Sequence, residues 1–193
     1  MNTIEIEHRS LITEEDFLRI RAFLDSHAEN LGEDNKDTFF YIWPDKVIKV
    51  VENASSGKAK MVLKPGRIGK QSYFHENELT IAPSEVDQAK KFCESLEPEK
   101  IMRAYQFRTN YKYEGVEVAV KYTESFGFHL EFEIMVDNLS QQDAAEAEIK
   151  NVAQKLGVTI LSDEDLKKIT AELESGVNYG KYSNDNFPYV TNK

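Results

Sequence analysis

The sequence is nearly without cysteine: Cys93 is the single one in 193 residues. That excludes an intrachain disulfide and a thiolate metal site, and it fits a reducing, cytoplasmic setting. Cys93 falls on the apolar side of an expected helix, where a small core residue belongs. An excess of positive charge is also missing. The net charge is −10, which argues against a general nucleic-acid binder and its extended basic surface. A small concave basic site remains compatible, because net charge averages over the whole surface. No apolar run approaches the roughly 20 residues that span a bilayer, and the first residues show no basic-then-apolar signal, so neither membrane insertion nor export is expected. A Gly-rich phosphate loop is absent, as are Ser-His-Asp and Cys-His arrangements. The four histidines (His8, His27, His75, His129) show no metal-ligand spacing. Low-complexity runs and linkers are lacking too. One domain over residues 1–193, monomeric or homodimeric, is therefore expected.

What is present begins with four helix starts of one kind, Ser or Thr followed three residues later by Asp: Thr13 with Asp16, Ser84 with Asp87, Ser140 with Asp143, and Ser162 with Asp165. The hydroxyl accepts an orphan backbone N–H, and the acid favours the positive helix end. Apolar residues then recur at helical spacing, and Gly157 and Gly176 mark two of the stops. Between the helices the period becomes two. Strands are expected over 2–10, 38–43, 46–52, 58–65, 71–81, 100–113, 116–124 and 127–137, with turns at Ser55-Ser56-Gly57, Pro65-Gly66 and Glu114-Gly115. The short connections imply antiparallel hairpins.

In nearly every strand one face is apolar and the other charged. Phe128, Leu130, Phe132, Ile134 and Val136 oppose His129, Glu131 and Glu133; Val116, Val118, Val120 and Tyr122 oppose Glu117 and Lys121; Ile4 and Ile6 oppose Glu5, Glu7 and Arg9; Ala59, Met61 and Leu63 oppose Lys58, Lys60 and Lys64. An open sheet with one solvated face gives the same alternation. The charged face, however, is crowded with ionic groups (Lys49, Glu76, Glu78, Arg108 and Lys112 among them) and holds few Ser, Thr or Gln residues. That favours eight strands closing around a charged interior, with amphipathic helices covering the apolar outside. The charged inner face also argues against a barrel for an apolar ligand.

Glu5 and Glu7, two apart on a strand, project to one side, and Glu131 and Glu133 repeat the arrangement on the last strand. Adjacent carboxylates repel unless a cation lies between them, and a hard divalent ion such as Mg²⁺ or Mn²⁺ prefers such oxygen ligands. The expectation is that first and last strands face each other across the barrel and bring the four together. Arg9, Lys49, Lys58, Lys60, Lys64, Arg108 and Lys121 supply the opposite sign for phosphate oxygens. A lining of carboxylates, metal and cations suits phosphoryl chemistry.

In this pattern the sequence resembles the CYTH superfamily, the triphosphate tunnel metalloenzymes, whose marker is an N-terminal ExExK strand. Here it reads Glu5-Ile6-Glu7-His8-Arg9. Val47 to Glu52, Lys60 to Pro65, Glu76-Asn77-Glu78, Phe126-Gly127-Phe128-His129-Leu130-Glu131-Phe132-Glu133 and the closing segment with Tyr179 to Tyr182 follow in the family's order. The resemblance covers essentially the whole chain. It implies an α+β fold built on an eight-stranded antiparallel β-tunnel, a Mg²⁺ or Mn²⁺ cofactor, and a small-molecule triphosphate: inorganic tripolyphosphate, thiamine triphosphate or a nucleoside triphosphate. It implies metal ligation by Glu5, Glu7, Glu131 and Glu133, phosphate binding by Arg9, Lys49, Lys64 and Arg108, and catalysis centred on Glu5, Glu7 and Arg9. The metal would polarise the phosphoryl group and activate the attacking water.

Three places depart from that pattern. Val51 stands where a second basic residue is usual, Gln106 where a lysine precedes Arg108, and Lys121 with Tyr122 where an acidic residue is usual. Glu117 or Glu124 are the available substitutes for that acid. Three activities follow as alternatives: a metal-dependent triphosphatase, an adenylyl cyclase forming cyclic AMP from ATP, and a non-catalytic binder of a phosphorylated metabolite or polyphosphate.

Overall fold

The computed structural model describes residues 4–65, 77–183 and 186–189. Thr13 and Ser162 open their helices as the sequence predicts. Each hydroxyl accepts the backbone N–H three residues on, at 3.1 Å in both cases. The other two starts differ. Before α2 (Val86–Glu94), residues Pro83–Glu85 form a 3₁₀ turn, and the Glu85 carboxylate accepts the Ala82 N–H at 2.8 Å, so Ser84 caps nothing. Before α3 (Gln142–Leu156), Asn138 takes the capping position ahead of a 3₁₀ turn and accepts the Ser140 N–H at 3.1 Å. An Asn with extended backbone competes well for that place. The helices beginning at Thr13 and Ser162 are α1 (Glu14–His27) and α4 (Asp163–Glu174).

The strands are β1 (Ile4–Leu11), β2 (Glu29–Glu33), β3 (Lys36–Ile42), β4 (Lys46–Asn53), β5 (Lys58–Pro65), β6 (Asn77–Ile81), β7 (Lys100–Tyr113), β8 (Val116–Thr123) and β9 (Gly127–Val136), making nine where eight are expected. The additional one is β2. Gly32 (φ +98°) breaks its register against β7 between Asn30 and Gly32, and that irregularity removes the alternation a sequence reading relies on. Residues 71–76 of the expected 71–81 strand, with His75 and Glu76, lie outside the described residues, as does Gly66 of the Pro65-Gly66 turn.

The chain forms two compact units, one made of residues up to Glu33 and from Phe107 onward, the other of Asp34–Gln106. Strand β7 gives its second half to the first unit and its first half to the second. In the first unit the antiparallel ladders run β1-β9-β8-β7, with β2 also on β7. In the second they run β7-β3-β4-β5-β6. Strands β1 and β6 are the two ends of this series, so among the described residues no ladder closes the sheet into a hydrogen-bonded barrel.

In the first unit, Phe128, Leu130 and Phe132 of β9 and Val118, Val120 and Tyr122 of β8 are buried on the face that receives α1 and α3. Phe17, Ile20 and Leu24 of α1, and Ile149, Val152 and Leu156 of α3, complete this core. The closing segment adds rings to it. Phe187 stacks on Phe107 and Tyr122, with centroids 4.1 and 4.4 Å away. The Tyr179 N–H donates to Ser125 O at 2.9 Å, and Glu14 at the start of α1 accepts hydrogen bonds from Lys181, Tyr182 and Tyr189. In the second unit, Tyr41, Trp43, Val50, Ala59, Val86, Ala89 and Cys93 form the core beneath α2. Cys93 is thus the small core residue its position predicts.

Candidate functional site

The charged face of β1, β9 and β8 lies opposite the helices of the first unit. Register places its side chains in rows. Glu7 pairs with Glu133, which pairs with Glu117; the next row is Arg9, Glu131 and Ala119; the row after that is Leu11, His129 and Lys121. Three carboxylates therefore stand directly side by side, an arrangement that is destabilising without an opposing charge. Strand β1 is the immediate neighbour of β9. The four expected carboxylates are thus brought near one another by strand pairing rather than across a lumen.

Within this face the acids divide into two groups. One carboxylate oxygen from each of Glu5, Glu7 and Glu133 lies within 4.8 Å of the other two. Glu131 sits deeper, 5% exposed, and three cations surround it. Its Oε1 is 3.2 Å from Arg9 Nε, and its Oε2 is 3.2 Å from an Arg108 guanidinium nitrogen and 2.7 Å from Lys121 Nζ. Arg9 also bonds Glu7 at 2.6 Å. Arg108 continues to Glu133 at 3.1 Å and Glu117 at 3.8 Å, and its Nε donates to Asn110 Oδ1. To reach β9 the Arg108 chain crosses β8, where Ala119 presents only a methyl group.

Electrostatics follows this division. Burial pushes the Glu5 carboxyl up, and repulsion from Glu133, Glu7 and Glu131 adds to it. Burial likewise raises Glu7, with Arg9 opposing. For Glu131 burial acts against the charged form, but Lys121 and Arg9 outweigh it and hold the carboxyl at about 2. Burial lowers Lys121, and Glu131 opposes that. His129 is buried and lies beside Lys121. Burial first, then that ammonium, bring it down to about 3, so the ring is neutral at physiological pH. Its Nδ1 is 2.9 Å from Gly127 O, an acceptor, so Nδ1 carries the proton and Nε2 is left as an acceptor.

Among the residues singled out from sequence, Glu5, Glu7, Arg9, Arg108, Lys121, Glu131 and Glu133 all belong to this face. Lys49, Lys58, Lys60 and Lys64 belong to the second unit, on the side of β4 and β5 away from α2. There they alternate with valines: Lys49 pairs with Val62, Lys60 with Val51 and Lys64 with Val47. Those three valines are buried, so this face is mixed rather than wholly ionic. Lys60 Nζ lies 2.6 Å from Glu78. Of the two substitute acids, Glu117 stands in the carboxylate row; alternation puts it on the charged face, but only register gives it Glu133 as neighbour. Glu124 sits at the β8–β9 turn, where its carbonyl approaches Gly180.

No family model matches the chain, and no curated protein matches it. Solved structures do. A conserved hypothetical protein from Pyrococcus furiosus is 25% identical, with 84% of this chain and 94% of that one covered and a TM-score of 0.60. A candidate adenylate cyclase from Vibrio parahaemolyticus is 18% identical, with 89% and 99% covered and a TM-score of 0.60. A candidate adenylyl cyclase from Hippeastrum, whose dominant activity is described as triphosphatase, is 14% identical, with 91% and 97% covered and a TM-score of 0.60. These likenesses establish a shared fold.

Proposed function

The chain has the CYTH-type fold, and from that premise we propose that it is a metal-dependent hydrolase of a triphosphate-containing small molecule. The row Glu7, Glu133 and Glu117, with Glu5 beside it and Arg9, Arg108 and Lys121 interleaved, is the observation that carries this reading. Five carboxylates (Glu5, Glu7, Glu117, Glu131, Glu133) face three cations there, and a divalent ion offsets the surplus.

The donor set fits Mg²⁺ or Mn²⁺. All the donors are hard carboxylate oxygens, and one from each of Glu5, Glu7 and Glu133 lies within 4.8 Å of the other two, so these three would hold the ion. When bound, the ion supplies charge neutralisation and Lewis acidity toward phosphate oxygens. Arg9 and Arg108 offer planar guanidiniums that grip phosphate oxygens at two points. The Glu131 carboxylate keeps both oriented when no anion is present. In hydrolysis a water oxygen bonds to the terminal phosphorus, the bond to the bridging oxygen breaks, and the shortened phosphate leaves with the electron pair and takes up the proton that the water gives off. The neutral His129 adds no second positive charge beside Lys121. Lys49, Lys58, Lys60 and Lys64 carry over from sequence as phosphate-binding residues, to be tested by substitution.

The test is phosphate release from tripolyphosphate, thiamine triphosphate and ATP, each with Mg²⁺ or Mn²⁺ and with chelator, and with cyclic AMP measured in the same tubes. Metal-dependent release that Glu5→Ala abolishes is expected. Cyclic AMP without phosphate release would replace hydrolysis by cyclisation. Thermal stabilisation by tripolyphosphate without any product would make the protein a binder.

A further inference from the structure

Glu131 differs from the other carboxylates of the face in one respect: both its oxygens are already engaged. Arg9 holds Oε1, while Arg108 and Lys121 share Oε2, at 2.7–3.2 Å. An ion ligated there would sit among three positive charges. Glu5, Glu7 and Glu133 instead turn one oxygen each toward a common point. Lys121 is itself 6% exposed, on the strand that pairs with that of Glu131. A carboxylate at that place would call for another cation, whereas Lys121 brings one covalently.

We infer that Lys121 is the resident cation of the deep end of the site, that Glu131 is its counter-ion and a positioning residue for Arg9 and Arg108, and that the face takes a single divalent ion on Glu5, Glu7 and Glu133. The inference rests on the metal-dependent reading above. The surplus of two negative charges on the face agrees with one divalent ion, and the 2.7 Å pairing with Glu131 holds the buried Lys121 ammonium in place where solvent does not stabilise it.

The experiment counts bound Mn²⁺ on the full chain by electron paramagnetic resonance of the free ion, without any phosphate compound. The wild type should bind one Mn²⁺. Glu133→Gln should raise its Kd at least tenfold, while Glu131→Gln should leave one Mn²⁺ bound with Kd within about fivefold of wild type. Lys121→Glu should gain a second Mn²⁺, a change that a merely structural role for Lys121 does not produce. If Glu131→Gln does not fold, Glu131→Gln/Lys121→Met removes the buried pair together and takes its place, with one Mn²⁺ again expected. Two ions in the wild type, or a loss in Glu131→Gln as large as in Glu133→Gln, would overturn the inference and leave the metal-dependent reading standing. No Mn²⁺ binding by the wild type would remove both.

Discussion

Replacing Glu131 by Gln keeps the shape of the side chain and removes its charge, so it isolates what the buried ion cluster contributes to stability. Glu131 is 5% exposed, and Lys121, 2.7 Å away, is 6% exposed. A carboxyl held at about 2 instead of 4.5 corresponds to about 3 kcal/mol in favour of the charged form. Leaving a buried partner unpaired costs about 3–5 kcal/mol by an independent route, and the two agree. Because the folded-state value lies below the ordinary one, the contribution is complete above the ordinary carboxylate range and is lost as pH falls from about 4.5 toward 2. Urea denaturation in chelator should therefore give a difference of about 3 kcal/mol between wild type and Glu131→Gln at pH 7, shrinking to less than half of that at pH 3. The same loss lowers the melting temperature by roughly 6–12 °C. A difference under about 1 kcal/mol at pH 7, or one of equal size at both pH values, would refute the assignment of Glu131 as the carboxylate on which three cations depend.

Phe187→Ala should destabilise by about 3 kcal/mol in urea denaturation, because it removes a ring stacked on both Phe107 and Tyr122. Gly127→Ala should loosen the closing segment: its φ is +75° and an added Cβ would come within 2.8 Å of Tyr179 O, so faster limited proteolysis after Gly176 is the expected readout. Among the four hydroxyls at helix starts, Thr13→Ala and Ser162→Ala should each cost about 1 kcal/mol, whereas Ser84→Ala and Ser140→Ala should change the denaturation midpoint little. For Glu14→Gln the sign follows the same rule as for Glu131. Hydrogen bonds from Lys181 first, then Tyr182 and Tyr189, hold the Glu14 carboxyl at about 2, so protease resistance of the closing segment should fall in the variant at pH 7 and the difference should vanish as the pH approaches 2.

The helices were legible because capping chemistry and the 3.6-residue period are local. Thr13 with Asp16 and Ser162 with Asp165 predict two starts correctly. Ser84 and Ser140 mislead because a 3₁₀ turn precedes each of these helices, in which Glu85 accepts the Ala82 N–H and Asn138 accepts the Ser140 N–H, so the cap falls one or two residues away from the serine. The charged face was legible from alternation alone, since burial on one side of a strand writes itself into every second residue. Strand β2 was not, because a bulge at Gly32 leaves no period to read. Nor was the grouping inside the site. That Glu7, Glu133 and Glu117 share a row, and that Arg9 meets Glu131, depends on which strands pair and in what register, and those are long-range facts that no local stretch encodes. The mixed lysine–valine face of the second unit shows the same limit: Val47, Val51 and Val62 are visible in the sequence, but that each pairs with a lysine depends on the β4–β5 register.

The smallest side chain of the ionic face has the widest effect on it. Ala119 lies directly opposite Glu131, on the strand between Arg108 and the acids it reaches on β9. With a methyl group there, an arginine from a non-adjacent strand can lie over the sheet and tie three strands together by charge. Leucine at 119 would carry no charge and alter no ligand, yet its added bulk would stand beside Glu131 in the row that Arg108 reaches across. The ionic order of the face is therefore maintained by an apolar residue that takes no part in it.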